Sequence, residues 1–182
     1  MGNKAGARHT QKLFWLLAGL TAFLPACREE TAPPDLPEAA AIQEAFAESN
    51  KRILALENEA IDDFIQRFGW EMQQTGSGLR VKIRNEGRGE KASYGQRARI
   101  RYTVYLLTGD PVYSSEQRGP LEFTVGRGGV ERGLEEGILL LREGAEAVFI
   151  MPSHLAHGLP GDGRAIPKRA TIVYELELLE LQ

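Results

Sequence analysis

Cysteine is nearly absent from this 182-residue chain, Cys27 being the only example. A lone thiol excludes an intrachain disulfide framework and any cluster of thiolate metal ligands. An excess of positive charge is missing too: 22 basic side chains face 25 acidic ones, for a formal net charge of -3. With no basic field to gather phosphates, nucleic-acid binding is excluded as the main task. The longest apolar run, Leu13–Leu24, has 12 residues. At 1.5 Å per residue it reaches about 18 Å, too little for a hydrocarbon core about 30 Å thick. Internal repeats and low-complexity tracts are also lacking, and a chain 42% hydrophobic and 26% charged has the balance of one folded globular domain plus extensions.

What is present begins with an address. Lys4, Arg8 and Lys12 precede the apolar run with no acid among them, which is the charge order of a secretory signal. Leu24-Pro25-Ala26-Cys27 then resembles the bacterial lipobox, where cleavage precedes a lipid-modified cysteine. Residues 1–26 are therefore expected to be a lipoprotein signal peptide, and 27–37 the lipidated Cys27 with an extended tether containing Pro33, Pro34 and Pro37. Cleavage would remove three basic groups and take the net charge from -3 to -6. The expected location is the cell envelope, with the domain lipid-anchored to a bacterial membrane on its periplasmic side or outer surface. Met1-Gly2 does not signal myristoylation, because Gly6 stands where that pattern wants Ser or Thr.

Residues 38–68 contain neither Gly nor Pro, and Phe46, Ile53, Leu56, Ala60 and Phe64 recur at helical spacing. Leu54, Ile61, Ile65 and Phe68 make a second, adjoining stripe. So wide an apolar surface must be covered, either by the chain's own domain or by a second copy in a homodimer. From Gly69 the period changes to two. Leu79, Val81 and Ile83 alternate with basic residues, and Ala98, Ile100, Tyr102, Val104 and Leu106 alternate with mostly polar ones. Leu121, Phe123 and Val125, the run Ala145–Met151, and Ile172, Tyr174, Leu176 and Leu178 repeat the pattern. Such strands have one buried and one wet face, as in an antiparallel sheet. Val130, Leu134, Ile138 and Leu141 read as one short helix stopped by Gly144. The expected class is α+β: about five antiparallel strands in a curved sheet wrapped on one short helix, preceded by the long one.

Specific runs then add a family. Gly95-Gln96 leading into Ile100-Arg101-Tyr102-Thr103, Ser114-Ser115, Val130-Glu131-Arg132-Gly133-Leu134-Glu135-Glu136-Gly137, Pro152 to Gly158, Ile166-Pro167 and Ala170 to Leu179 follow one another at consistent spacing. Residues 79–182 thereby resemble the FKBP-type peptidyl-prolyl cis-trans isomerases, and the isomerase domain is expected over 69–182. Asn50-Lys51, Glu57 and Ile61 are similar to the N-terminal region of gliding-motility-associated lipoproteins within that family. The resemblance implies proline-containing polypeptides as partners and no cofactor. It assigns Tyr102, Val130, Glu131 and Tyr174 as catalytic positions, with Glu131 acting through its backbone N–H. Val112, Tyr113, Leu121, Leu134, His157 and Ile166 fall at substrate-binding positions. Several depart from the family pattern: Leu134 replaces a floor Trp, His157 a loop Tyr and Leu121 a pocket Phe. Val112-Tyr113 stands where a Phe-Asp pair supplies the pocket carboxylate, so that carboxylate is expected to be missing and the cup shallower and more polar.

The chemistry needs no nucleophile. Turning an X–Pro bond means crossing a barrier of about 18–20 kcal/mol set by amide resonance. A dry apolar cup favours the twisted, less zwitterionic imide over the planar ground state, provided donors meet the rotating carbonyl. The expected function is a membrane-anchored isomerase that helps envelope proteins through slow prolyl steps. The alternative is a catalytically weak chaperone or docking module of a gliding or secretion apparatus. Other signals do not compete. His154 and His157 lack further metal ligands nearby, so no metal is expected. Gly126-Arg127-Gly128-Gly129 lacks phosphate-loop spacing, and Glu135 and Glu136 are adjacent on a helix and cannot face each other. The glycine-rich run from Gly158 to Gly163 reads as a flexible turn at the rim of the cup.

Overall fold

The computed structural model describes residues 39–182. The signal peptide, the tether and lipidation of Cys27 lie outside the described residues.

Helix α1 spans Ala39–Arg67, 29 residues, one residue inside each expected boundary. Its length is about 44 Å at 1.5 Å per residue. Gly69 at φ +61° terminates it, a left-handed conformation that glycine adopts without steric penalty. Of its apolar side chains, only Ile61 and Phe64 are buried. Every residue from 39 to 52 is exposed, Phe46 at 66%.

Seven strands form one antiparallel sheet: β1 (Gln73–Gln74), β2 (Arg80–Asn85), β3 (Arg97–Leu106), β4 (Pro111–Ser114), β5 (Leu121–Thr124), β6 (Glu146–Met151) and β7 (Ile172–Leu181). Their order is β1-β2-β6-β7-β3-β4, with β5 also on β3. The alternation described above marks five of them. β1 and β4, at two and four residues, are too short to display a period. β4 and β5 share one edge of β3, pairing Thr103 with Ser114 and Ile100 with Leu121. The four-residue helix α2 (Ser115–Arg118) turns the chain between them.

Helix α3 covers Arg132–Ile138, shorter than the expected run from Val130 to Leu141. Glu131 is still extended at φ -61°, ψ 143°, and Gly128 and Gly129 have φ of +75° and +92°, so Val130 belongs to the turn before the helix. Leu141, although buried, lies past its end. α3 lies close on β6 because it carries glycine at its contact points. A Cβ on Gly137 would sit 2.4 Å from the Phe149 ring, and one on Gly133 2.8 Å from the Met151 side chain.

One face of the sheet and α3 enclose the main core, which includes Ile100, Leu134, Ile138, Phe149 and Leu178. The other face is not wet throughout, as alternation alone implies. Val148, Ile150 and Val173 form a second cluster with Ile61 and Phe64 of α1. Burying each of those helix side chains contributes about 1.5–3 kcal/mol. Arg80, expected on the wet face, is only 5% exposed, because α1 covers it; it donates to Gly78 O at 2.7 Å and to Asn58 and Asp62 of α1 at 3.2 and 3.3 Å. Glu57 fixes the same docking, accepting from Ser153 N at 2.6 Å and Thr171 Oγ1 at 2.8 Å. The C-terminal half of α1 thus packs on its own domain, and the N-terminal half projects from it.

Candidate functional site

The two central strands bring the tyrosines together. Tyr174 on β7 pairs with Val104 on β3, and Tyr102 on β3 with Leu176 on β7. Both side chains point to the core face, two residues apart along the ladder. Their rings stack with centroids 5.8 Å apart at 29°. Ser115 Oγ, at the start of α2, lies 3.2 Å from Tyr102 N and 3.3 Å from Tyr102 O, tying the edge turn to the central strand.

In front of the rings is a cavity of about 560 Å³, and Tyr113, Leu121, Val130, Glu131 and His157 complete most of its wall. Seven of the ten candidate positions therefore meet in one place. Three do not line it. Leu134 is fully buried beneath, in the main core, and Ile166 is 3% exposed; both support the wall from behind. Val112 packs half-buried against the core.

Positions 112 and 113, Val and Tyr, bring no carboxylate to the cavity, yet the cavity is not without one. Two carboxylates line the cavity, Glu131 and Asp162. Asp162 reaches it from the glycine-rich turn, accepts a short hydrogen bond from Tyr113 OH, and takes the N–H groups of Arg164 and Ile166 on Oδ1, each at 2.8 Å. Burial works to raise its carboxyl, but these three donors and nearby His157 outweigh it and hold it at about 2, below its usual 3.8. Three donors for one anion make this turn a built loop rather than a flexible one. Sequence spacing cannot show it, since Tyr113 and Asp162 are 49 residues apart. The remaining lining residues missed in the sequence are Arg118, Gly129, Ala156 and Arg164. Arg118 lies over the Tyr113 ring, its Cζ 3.6 Å from the centroid, a cation–π contact that no local pattern announces.

Glu131 contributes a side chain as well as a backbone N–H. Its Oε1 accepts from Tyr174 OH at 3.1 Å. Burial, then the neighbouring Glu131 charge and this bond, push the Tyr174 hydroxyl well above its ordinary range, so the phenol stays protonated. His157 Nε2 is also 3.1 Å from Glu131 Oε1. That contact is close but out of line for a hydrogen bond, and Nε2 has no other polar partner. The result is an apolar back wall of stacked rings beneath a polar mouth. It holds no nucleophile–base pair, and among the described residues no group of three or more His, Cys, Asp or Glu is placed to hold a metal ion. Such a space can desolvate a ring-shaped side chain and orient a carbonyl.

Known proteins resemble the chain over this region. The family model described as FKBP-type peptidyl-prolyl cis-trans isomerase matches residues 88–179. The FK506-binding protein of Neisseria meningitidis serogroup B is 36% identical over 105 residues, which are 57% of this chain and 96% of that protein. The FKBP-type 22 kDa peptidyl-prolyl cis-trans isomerase of Escherichia coli is 38% identical over 111 residues, 60% of this chain and 53% of that protein. Among solved structures, AtFKBP13 superposes with a TM-score of 0.60 at 29% identity, covering 62% of this chain and all of that one. FkpA from Escherichia coli gives 0.60 at 24% identity over 80% of this chain and 73% of that one, a likeness of fold.

Proposed function

Because the chain belongs to the FKBP-type peptidyl-prolyl cis-trans isomerase family and is an isomerase of X–Pro bonds, we propose that the cavity faced by Tyr102 and Tyr174 is where those bonds turn. The stacked, largely buried ring pair carries this reading. The proline ring enters against Tyr102, Tyr174, Leu121 and Val130, where it leaves water. Twisting the imide lowers its charge separation, so the dry wall favours the twisted form over the planar one. The Glu131 N–H, which donates to no acceptor among the described residues, is the donor offered to the rotating carbonyl. Tyr113, His157 and the Asp162 loop hold the mouth in shape.

Exchange measurements on a proline tetrapeptide test this. Wild type should accelerate isomerisation, with Tyr102→Ala and Tyr174→Ala each slowing it at least about tenfold, the scale of losing a wall of the transition-state site. Tyr174→Phe, which keeps the ring, separates loss of the wall from loss of folding. Equal rates in all of them reject this cavity while leaving the enzyme class standing.

The site of action in this proposal is the cell envelope, with Cys27 acylated and the domain held to a membrane while it assists folding of proteins there. The basic residues, apolar run and Leu24-Pro25-Ala26-Cys27 support it. Fatty-acid labelling that survives Cys27→Ser, or an unchanged membrane fraction in that variant, refutes it. The proposal extends to a homodimer through α1, supported by exposed Ile42 and Phe46 on its projecting part. Light scattering on residues 28–182 should give twice the chain mass, and Phe46→Glu should halve it; a monomer in both rejects the dimer.

A further inference from the structure

At the mouth of the tyrosine-walled cavity the carboxylates are engaged and the guanidinium groups are not. Asp162 takes Tyr113 OH and two backbone N–H groups. Glu131 takes Tyr174 OH and faces His157. Arg118 and Arg164 line the same cavity and are exposed, yet neither forms an ion pair among the described residues. Arg118 is held in place by the Tyr113 ring beneath it. Arg164 is positioned through its own N–H on Asp162. A guanidinium carries several donors and no acceptor, and its fork fits a carboxylate. Two such groups, one laid on a ring and the other carried by an anchored backbone, face whatever flanks a bound proline with their donors unspent.

Resting on the placement of the prolyl bond in this cavity, we propose that Arg118 and Arg164 select polypeptides with Asp or Glu beside the proline. The selection has to be local. The formal net charge of the chain is -3, so its overall field does not attract an acidic partner. A partly exposed ion pair is modest, which sets the size of the preference.

Tetrapeptides differing only in Glu, Gln or Lys, placed before the proline in one series and after it in another, test the proposal by exchange spectroscopy. In wild type the Glu peptide of at least one series should exceed its Gln counterpart by about twofold to fivefold in kcat/KM, chiefly through KM. About 0.5 M salt should erase most of the difference. Arg118→Gln and Arg164→Gln should each reduce the Glu-to-Gln ratio, and Arg118→Glu with Arg164→Glu should turn the preference towards Lys. Comparing peptides within one variant cancels any general loss of rate. Equal rates for Glu, Gln and Lys in both series overturn the selectivity and leave the cavity assignment intact. A preference unchanged in the charge-reversed double variant overturns it as well. No turnover of any peptide by wild type removes the cavity assignment and this proposal together.

Discussion

Replacing Asp162 tests how much of the mouth depends on one carboxylate. Three donors converge on it: Tyr113 OH, and the N–H groups of Arg164 and Ile166 at 2.8 Å. Hydrogen bonds to a charged group contribute about 1.5–3 kcal/mol each when both partners stay buried. They do not all stay buried: Arg164 is exposed and rehydrates, whereas Ile166 is 3% exposed and Tyr113 is half-buried. Asp162→Ala should therefore cost about 1–3 kcal/mol, chiefly from the Ile166 N–H left without water. Asp162→Asn should cost about 1–2 kcal/mol, because its carbonyl keeps both backbone N–H groups and its amide can donate to the Tyr113 oxygen. Urea unfolding gives both numbers, and peptide isomerisation shows whether the loop matters to the site; kcat/KM should fall further in Asp162→Ala than in Asp162→Asn. The pH dependence has a definite sign. The carboxyl is held at about 2 in the folded chain against a usual 3.8, so its contribution is complete above about pH 4 and is lost as the pH falls towards 2. The stability difference between wild type and Asp162→Asn should shrink across that window, with the other carboxylates cancelling. An Asp162→Ala protein within about 0.5 kcal/mol of wild type, the scatter of an ordinary surface change, would refute the claim that this carboxylate organises the loop.

Two further perturbations test the framework. Glu57→Ala removes the acceptor for Ser153 N, Ser153 Oγ and Thr171 Oγ1; it should cost about 1–3 kcal/mol and speed amide hydrogen exchange around Ser153 and in the second half of α1, and unchanged protection there would show that apolar contact alone docks the helix. Gly137→Ala places a methyl 2.4 Å from the Phe149 ring and Gly133→Ala one 2.8 Å from Met151. Helix propensity favours each by about 1 kcal/mol, but the ring gives way less readily than the thioether chain, so calorimetry should find Gly137→Ala the less stable by about 1–3 kcal/mol; the reverse order would mean that α3 does not bear on β6 in this way.

Much of the frame is legible in the chain because burial on one face imposes a period. Ala98, Ile100, Tyr102 and Val104 alternate, and all point into the main core. The same rule places Tyr102 and Tyr174 on the side where the cavity forms. It does not extend to β6, where Val148 and Ile150 are buried between Ala147, Phe149 and Met151. A second layer covers the outer face there, and one-faced alternation has no room for it. Local pattern is silent about Asp162 for a different reason: its partner Tyr113 lies on an edge strand too short to announce itself, and only closure of the sheet brings the two together. Arg118 and Arg164 are legible as charged residues but not as unpaired ones, since pairing is a property of neighbours in space. Leu134, Ile166 and Val112 show the converse, positions near the site in sequence register whose side chains are turned to packing.

The exposed stretch 39–52 of α1 has a geometric consequence. Fourteen helical residues act as a spacer of about 21 Å whose length is fixed by backbone hydrogen bonds and not by the statistics of a loose chain. Such a spacer fixes azimuth together with distance. Excising seven residues would bring the catalytic body about 10 Å nearer to the first turn of α1 while keeping nearly the same side turned towards it, whereas excising two would swing it roughly half a turn. Reach and aim in this protein are therefore coupled through a single count of residues.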